Sequence, residues 1–250
     1  MAHGTEFIRR LEHHRARRLA DRQPEPEALS ERLLISWIHH DNMLEGRLYR
    51  PEEIAYALHH DDESLDRYLR PLLDNIRRYR DVIQFVCSRA HEGLEAVNLD
   101  NLKAIHRMQT TDPKDRGGLY RRTSPVHRDY FQRICSADKV PYHLRKLFEQ
   151  IELEFEEACD PIAFAADVHH RLMHVYPFRR NPGTTARLFT NLLLLSRGYP
   201  PALLAAHLRD EYYDALRQPE PSKLVRLFHQ AVSGLVEAPS GMSLLRRDAS

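Results

Sequence analysis

The sequence predicts an all-α protein, a helical bundle with one small β-hairpin, and three observations support that class. First, the 250 residues contain only 9 glycines, whereas sandwiches and doubly wound sheets need glycine at many tight turns. Second, apolar residues recur at helical spacing between proline or aspartate starts and glycine ends. Third, the segment from Thr184 to Arg197 is apolar nearly all round, which indicates a buried central helix.

The composition favours a folded protein of a reducing compartment. Hydrophobic residues make up 42% of the chain, and 37 basic side chains balance 36 acidic ones. These values argue against disorder and against nucleic-acid binding through bulk charge. Cys87, Cys135 and Cys159 lie far apart without a C-x-x-C spacing, which is typical of isolated thiols. The longest strongly apolar stretch, Leu192 to Leu195, is too short to cross a bilayer. We therefore expect a cytoplasmic protein with no membrane span.

The N-terminal half is predicted to be helical. Residues 1–35 form an expected helical extension that contains a basic segment, Thr5 to Leu19. A surface helix with one solvated face is the favoured interpretation of this segment, and a basic patch for nucleic acid or membrane is the alternative. After a break at Gln23 to Pro26, further helices are predicted over residues 28–42, 51–58, 65–90 and 100–108. Gly46 is available as a left-handed cap after the first of these.

Residues 112–135 have a different pattern. Asp112-Pro113 and Gly117-Gly118 are turn signals, and the residues after Tyr120 alternate only in part. We predict an exposed flap over residues 117–134, with a short hairpin near 120–134. Helices then follow over residues 142–158, 161–174, 184–197, 209–217 and 221–236, and residues 237–250 form an expected flexible tail. Asp160 is the predicted N-cap of the helix that starts at Pro161.

The loop between the helices 161–174 and 184–197 carries the chemical signal. Tyr176-Pro177 ends the first helix, and Thr184 is the predicted cap of the second. The loop therefore points at the N-terminus of a buried helix, where unsatisfied N–H groups favour an anion. Arg179, Arg180 and Arg187 add three cations there. They favour phosphate or carboxylate binding, and pairing with the protein's own acids is an equally open interpretation.

His170 and His174 lie four residues apart on one predicted helix, a spacing at which two imidazoles can bind a metal. No H-E-x-x-H motif and no nearby acid supplies a third ligand. We therefore expect no metal site here, and we expect a neighbouring carbonyl to satisfy His174.

Residues 174–187 contain a segment that resembles a known motif. The run Tyr176 to Arg187 is similar to H-P-F-x-[DE]-G-N-G-R-x-x-R, the signature of the Fic (filamentation induced by cAMP) family, whose fold is called Fido. Residues 117–121 resemble the G-x-Y-R segment that opens the family's target-binding flap. Residues 211–216 resemble its Y-Y-x-A-L helix. The resemblance implies a Fic-like domain over residues 36–236, with a flap that captures a target protein.

A second motif lies upstream of this domain's core. Residues 41–46 are similar to the family's inhibitory motif [ST]-x-x-x-E-[GN], within an inhibitory-helix-like segment 36–46. The resemblance makes Glu45 a regulatory residue that pairs with Arg187, the last arginine of the signature. Asp41 stands where the family has serine or threonine.

The signature departs from the family at the positions that carry its chemistry. The resemblance implies that a histidine deprotonates the target hydroxyl, an acid binds magnesium and the Gly-Asn-Gly-Arg loop binds the triphosphate of ATP. Here Tyr176 takes the histidine position, and a phenol with a pKa of about 10 is a poor base at neutral pH. Arg180 replaces the acid and cannot ligate magnesium. Pro182 and Thr184 replace the asparagine and the first arginine, which removes further phosphate contacts.

Three functions follow as open hypotheses. The first is a degenerate Fic-fold protein that binds ATP, another nucleotide or a phosphorylated ligand without ordinary magnesium-dependent AMP transfer. Its expected ligand-binding residues are Arg179, Arg180, Asn181, Gly183, Thr184 and Arg187. The second is a transferase with altered phosphate-linked chemistry that uses Tyr176. The third is a non-catalytic module that captures a partner strand through the flap. A homo-oligomer is compatible with each, and a nucleic-acid partner is not expected.

Overall fold

The computed structural model describes residues 30–60, 68–110, 117–123, 125 and 134–237. Within them the chain forms nine α-helices and no β-strand. The helices are α1 (Glu31–Leu44), α2 (Pro51–His59), α3 (Arg70–Arg89), α4 (Leu99–Gln109), α5 (Val140–Glu154), α6 (Pro161–Val175), α7 (Pro182–Ser196), α8 (Arg209–Arg217) and α9 (Ser222–Glu237). Single 3₁₀ segments precede α4, α5 and α8, at Ala90–Ala96, Ala137–Lys139 and Ala206–Leu208.

Helix α1 lies partly inside the core. Its first turn is capped by the Ser30 hydroxyl, which accepts from the Leu33 N–H at 3.4 Å. The apolar side of the helix, including Leu33 and Trp37, is buried. The boundary expected between residues 35 and 36 falls inside this helix. Glu45 follows as its C-cap, and Gly46 has a φ of 77°, so it serves as the predicted left-handed cap.

Local sequence sets the ends of α6 and α7, the two helices that flank the signature loop (residues 176–181). The Asp160 carboxylate accepts from the N–H groups of Ile162 and Ala163 at 3.1 and 2.9 Å, which confirms it as the N-cap of α6. The predicted start of α7 at Thr184 is wrong. Asn181 takes a left-handed conformation with a φ of 49°, and the helix begins at Pro182. Proline fits that first position because its missing N–H has no helical partner there anyway.

Helix α7 is the centre of the molecule. Every residue from Gly183 to Leu195 is buried, and Leu192 and Leu193 have no exposed surface, as predicted. The helix packs against α6, α3, α4 and the 3₁₀ segment Ala90–Ala96. Helices α5 and α9 also pack against α6. The N-terminus of α7 is thereby held in a fixed place, beside the end of α1.

Several predicted features lie outside the described residues. They are the extension up to residue 29, most of the 120–134 hairpin and the tail from residue 238. The described residues of the flap, 117–123, 125 and 134, contain no strand. In the part of the chain that the structure describes, no helix is both long and apolar enough to cross a lipid bilayer.

Candidate ligand-binding site

The signature loop leaves α6 through an unusual backbone conformation at Tyr176. This residue has a φ of 47° and a ψ of 62°, in the left-handed region that side chains other than glycine and asparagine rarely adopt. Its N–H still donates to the Leu172 carbonyl at 2.9 Å. The turn directs the chain from the end of α6 towards the start of α7. Burial, and then the charge of Glu45, raise the pKa of the Tyr176 phenol, so this side chain is neutral at pH 7.

Arg121 holds the end of α6 in place. Its Nε donates to the Tyr176 carbonyl at 2.6 Å, and its Nη2 donates to the carbonyls of Val175 and Cys135. Its own backbone N–H donates to the Pro177 carbonyl at 2.9 Å. A guanidinium that satisfies the last carbonyls of a helix also opposes the negative end of the helix dipole. In the sequence, Arg121 is recognisable only as part of the segment that resembles the opening of the flap, and nothing there indicates this role.

His106 fixes the middle of the loop. Its Nδ1 accepts from the Gly118 N–H at 2.8 Å, so its Nε2 carries the proton and donates to the Arg180 carbonyl at 3.2 Å. Its ring stacks on Phe178, with the ring centres 3.9 Å apart. The loop backbone is therefore anchored, while the side chains of Arg179 and Arg180 are exposed. A buried histidine in a helical pattern offers little sequence signal for such a role.

Asn181 connects the loop to the end of α1. Its Oδ1 accepts from Arg47 Nη2 at 2.8 Å, and its Nδ2 lies 3.5 Å from the Gln109 carbonyl. Arg47 also lies 3.5 Å from Asn42 Oδ1 on α1. The loop, α1 and α4 thus meet at the start of α7.

Arg187 forms the predicted ion pair with Glu45 inside this junction. The Arg187 side chain is 3% exposed, and its Nη2 lies 2.7 Å from Glu45 Oε1. A Cβ atom added to Gly183 would lie 2.5 Å from the same carboxylate oxygen, so Glu45 contacts the first turn of α7. The positive end of the helix dipole favours a carboxylate in that position. The place predicted to receive a ligand's anion therefore holds a carboxylate of the protein itself.

A second carboxylate, that of Asp41, also binds Arg187. Asp41 Oδ1 accepts from Arg187 Nε, and the Asp41 carbonyl lies 3.3 Å from Arg187 Nη2. The other carboxylate oxygen, Oδ2, is buried and has no hydrogen-bond partner among the described residues. Burial raises the pKa of the Asp41 carboxyl to about 6, and the neighbouring Glu45 adds to this against the lowering effect of Arg187. The sequence identified Asp41 only as a departure from the family motif.

The third side-chain nitrogen of Arg187, Nη1, belongs to a buried hydrogen-bond chain. Arg187 Nη1 donates to the Tyr212 hydroxyl at 3.3 Å, and that hydroxyl donates to His169 Nε2 at 2.9 Å. His169 Nδ1–H then donates to the Thr190 hydroxyl at 3.2 Å, which itself donates to the Ala186 carbonyl at 2.7 Å. Each member has one consistent direction, so the His169 tautomer is fixed. Burial, followed by the charge of Arg187, lowers the pKa of His169 to about 3, which keeps it neutral.

Helix α8 contacts both Arg187 and the end of α1. Tyr212 contacts Arg187, and the neighbouring Tyr213 donates its hydroxyl proton to the Leu44 carbonyl at 3.1 Å. Arg209 Nε donates to the same carbonyl at 2.9 Å. Two adjacent tyrosines therefore connect the guanidinium and the end of α1 that carries its carboxylates.

The described residues offer poor ligands for a metal. No group of three or more histidine, cysteine, aspartate or glutamate side chains that could hold one occurs among them. Residues 176–187 contain neither aspartate nor glutamate, so magnesium has no carboxylate in the signature loop. His170 and His174 line a separate cavity of about 540 Å³ between α5 and α6. His170 donates to the Gln218 carbonyl at 2.9 Å and His174 to the His170 carbonyl at 3.0 Å, so a carbonyl satisfies each.

The structure brings only some of the predicted site residues together. Glu45, Gly183, Thr184 and Arg187 are in contact, with Thr184 Oγ1 lying 3.4 Å from Arg187 Nη2. Asn181 borders this group, whereas Arg179 and Arg180 project from the loop surface. The site thus has a buried part, closed by Glu45, and an exposed cationic rim.

Comparison with known proteins agrees with this architecture. Residues 96–194 match the model of the Fic/DOC family. The chain is 32% identical over 132 residues to the protein adenylyltransferase fic-1 of Caenorhabditis elegans, an alignment that covers 52% of this chain and 25% of that protein. The chain thus spans about a quarter of that relative's length.

Solved structures share the fold. A Fic domain containing signaling protein from Bacteroides thetaiotaomicron superposes with a TM-score of 0.71 at 18% identity, over 86% of this chain and 87% of that one. Fic-1 residues 134–508 from C. elegans give a TM-score of 0.70 at 21% identity, over 97% of this chain and 72% of that one. The helical core and the ordered signature loop agree with the match of residues 96–194 to the Fic/DOC family model, and the chain shares the fold of these Fic-domain structures.

Proposed function

We propose that this protein binds ATP or another phosphorylated ligand at the N-terminus of α7, in exchange for the Glu45 carboxylate. The observation that carries the proposal is the position of that carboxylate. It lies 2.7 Å from Arg187 Nη2 and against Gly183, so it occupies the place where a helix N-terminus and a guanidinium both favour an anion. A phosphate group has the charge and the acceptor oxygens to replace it.

The cationic rim supports a ligand larger than one carboxylate. Arg179 and Arg180 are exposed beside the start of α7, and Arg47 reaches Asn181 from the other side. These arginines would neutralise the charge that a polyphosphate brings to the loop, as magnesium does in other sites. We propose that Arg180 has this electrostatic role, because it stands at the position of the family's metal-binding acid.

We further propose that ordinary magnesium-dependent AMP transfer is absent or strongly reduced. The neutral Tyr176 phenol is a poor base, and the loop lacks a carboxylate for the metal. Loss of a single group of this kind can cost a factor of about 10². A target protein that contacts the flap over residues 117–134, a hairpin within that flap and a cytoplasmic location all stay predictions.

A ligand screen by thermal unfolding tests the binding proposal. ATP, ADP, GTP, CDP-choline and inorganic phosphate are compared with and without magnesium, using wild type and Glu45→Gly. A ligand present at about 100 times its Kd should stabilise the protein by about 2.7 kcal/mol. We expect polyphosphates to raise Tm without magnesium, and Arg180→Ala to reduce that rise. Arg145→Ala, at an exposed arginine on α5, is the matched control. No response to any anion would contradict the proposal.

A transfer assay tests the second part. ATP labelled at the α-phosphate is incubated with wild type or Glu45→Gly and a cell lysate. We expect no magnesium-dependent labelling of protein. Robust labelling that disappears in Tyr176→Phe would overturn this part and favour a transferase that uses Tyr176.

A further inference from the structure

Arg187 has three groups of donors, and each is already engaged. Nε binds the Asp41 carboxylate, Nη1 binds the Tyr212 hydroxyl at 3.3 Å, and Nη2 binds Glu45 at 2.7 Å. Two carboxylates therefore share one guanidinium. Removal of Glu45 frees a donor on Nη2 and leaves the Asp41 contact intact.

The two carboxylates differ in how easily they can leave. The Glu45 side chain is 22% exposed and belongs to the C-cap of α1, whereas the Asp41 side chain is 7% exposed within the helix. Rotation about the Glu45 side-chain bonds moves its carboxylate into solvent. The shorter, buried Asp41 side chain has no comparable exposure to solvent, and the Leu44 carbonyl at the end of its helix is held by Tyr213 and Arg209.

Because Glu45 leaves Arg187 more easily than Asp41 does, the net charge that a ligand meets is set by the carboxylate that stays. With Glu45 displaced, Asp41 and Arg187 form a buried pair with no net charge, so an arriving phosphate meets an ion pair in place of a free cation. Because the pair is buried, the repulsion between Asp41 and the phosphate is only weakly screened by water or salt. The freed Nη2 donor can bind a phosphate oxygen, but with reduced attraction.

We propose that Asp41 is a second positioning residue for Arg187, and that it limits how far displacement of Glu45 alone can open the site. This inference rests on the proposed function for its ligand. It predicts that this protein needs the loss of charge at both positions before Arg187 binds phosphate at full strength.

Calorimetric titration of ATP, without magnesium, measures the effect. We compare wild type, Glu45→Gly, Asp41→Asn and the double variant, because asparagine retains an oxygen that accepts from Arg187 Nε. We expect Glu45→Gly to tighten the Kd by no more than about threefold, and the double variant to tighten it at least tenfold further, about 1.4 kcal/mol. The proposal is overturned if Glu45→Gly alone gives the whole gain.

A measurement without ligand separates this inference from the proposed function. In ¹⁵N-labelled protein, the Arg187 Nε–H signal is assigned by its disappearance in Arg187→Lys. We expect its slow exchange to persist in Glu45→Gly and to be lost in Asp41→Ser, with Trp37 fluorescence confirming that both variants are folded. Loss of slow exchange in Glu45→Gly, or its persistence in Asp41→Ser, would refute the role of Asp41 as a positioning residue.

If Asp41→Ser does not fold, the titration of Asp41→Asn with ATP decides. If no variant binds ATP, the ATP proposal fails, and the Nε–H signal still decides the role of Asp41.

Discussion

At the residue scale, the site is defined by buried charged and polar side chains whose partners lie far away in sequence. Asp41 and Arg187 are 146 residues apart, and Glu45 and Arg187 are 142 residues apart. A buried pair that loses one partner leaves an uncompensated charge, which typically costs about 3–5 kcal/mol. Conservative substitutions such as Asp41→Asn are therefore more informative than truncations here. A conservative substitution is also the better choice at His169, whose imidazole stays neutral because burial disfavours its protonated form.

His169 should make stability depend on pH. In the unfolded chain it binds a proton below about 6.5, but in the folded protein burial lowers its pKa to about 3. Between these values the unfolded state binds more protons, so the free energy of unfolding should fall as the pH falls, by up to about 5 kcal/mol over the whole window. Asp41 acts in the opposite sense between about pH 4 and 6, because its folded pKa is raised.

Urea unfolding at pH 7, 6 and 5 checks this prediction. Wild type is compared with His169→Gln, which retains hydrogen-bonding atoms and cannot titrate. The groups that face His169, including Arg187, Tyr212, Thr190 and His170, are the same in both proteins. We expect wild type to lose more stability than the variant as the pH falls. Equal losses would show that His169 titrates normally.

At the element scale, the first turn of α7 accommodates the Glu45 carboxylate because Gly183 has no side chain. Gly183 has an ordinary helical φ, so alanine there would favour the helix by up to about 1 kcal/mol. The added Cβ would lie 2.5 Å from Glu45 Oε1 and 3.0 Å from Arg187 Nη1. The glycine is therefore required by the close approach of a carboxylate and not by the backbone.

Gly183→Ala should expel the Glu45 carboxylate and also fill the space that a phosphate needs. We expect nearly unchanged stability, because Asp41 still pairs with Arg187 and better helix propensity offsets the lost Glu45 contact. We also expect loss of ATP-induced stabilisation, even in Glu45→Gly. Gly234→Ala in α9 is the matched control, since nothing lies within 4 Å of its added Cβ. That control should gain about 0.5–1 kcal/mol in urea unfolding and retain the ATP response. An intact ATP response in Gly183→Ala would exclude this turn as the anion site.

The elements differ in how well the sequence predicts them. Asp160 as the cap of α6 and the buried α7 are strong local signals, and both are confirmed. The start of α7 was misplaced by two residues because Asn181 adopts a left-handed conformation and Pro182 then fits the first position. The Glu45–Arg187 contact came from family resemblance. No local pattern indicates that Asp41 joins it, or that Tyr212 and His169 support Arg187, because these contacts depend on how distant helices pack.

At the scale of the whole molecule, one apolar core links helices from both ends of the described chain. Buried residues of α1, α7 and α9 belong to the same cluster, including Trp37, Leu192 and Val232. The chain has one tryptophan, and Trp37 is 1% exposed on α1. Its fluorescence therefore reports whether the helix that carries Asp41 and Glu45 is in place.

Trp37 fluorescence and far-ultraviolet circular dichroism should give the same urea midpoint, because α1 shares its core with α7. Leu192→Ala should lower both midpoints together, in line with a loss of about 3 kcal/mol in the free energy of unfolding. The control is Leu153→Ala, at a leucine that is 76% exposed on α5, with an expected change below about 0.5 kcal/mol. A lower urea midpoint for Trp37 fluorescence than for circular dichroism would show that α1 unfolds as a separate unit. The site would then open without global unfolding.

The position of the two carboxylates ahead of their guanidinium also has a consequence for biosynthesis. A ribosome adds roughly 5–20 residues per second from the N-terminus, so Asp41 and Glu45 are made several seconds before Arg187, and Tyr212 follows it. When α7 folds, the acids that neutralise its arginine are already present in the nascent chain. The newborn protein therefore passes through no stage at which Arg187 has been made and its two carboxylates have not, so Glu45 can close the N-terminus of α7 as soon as that helix folds.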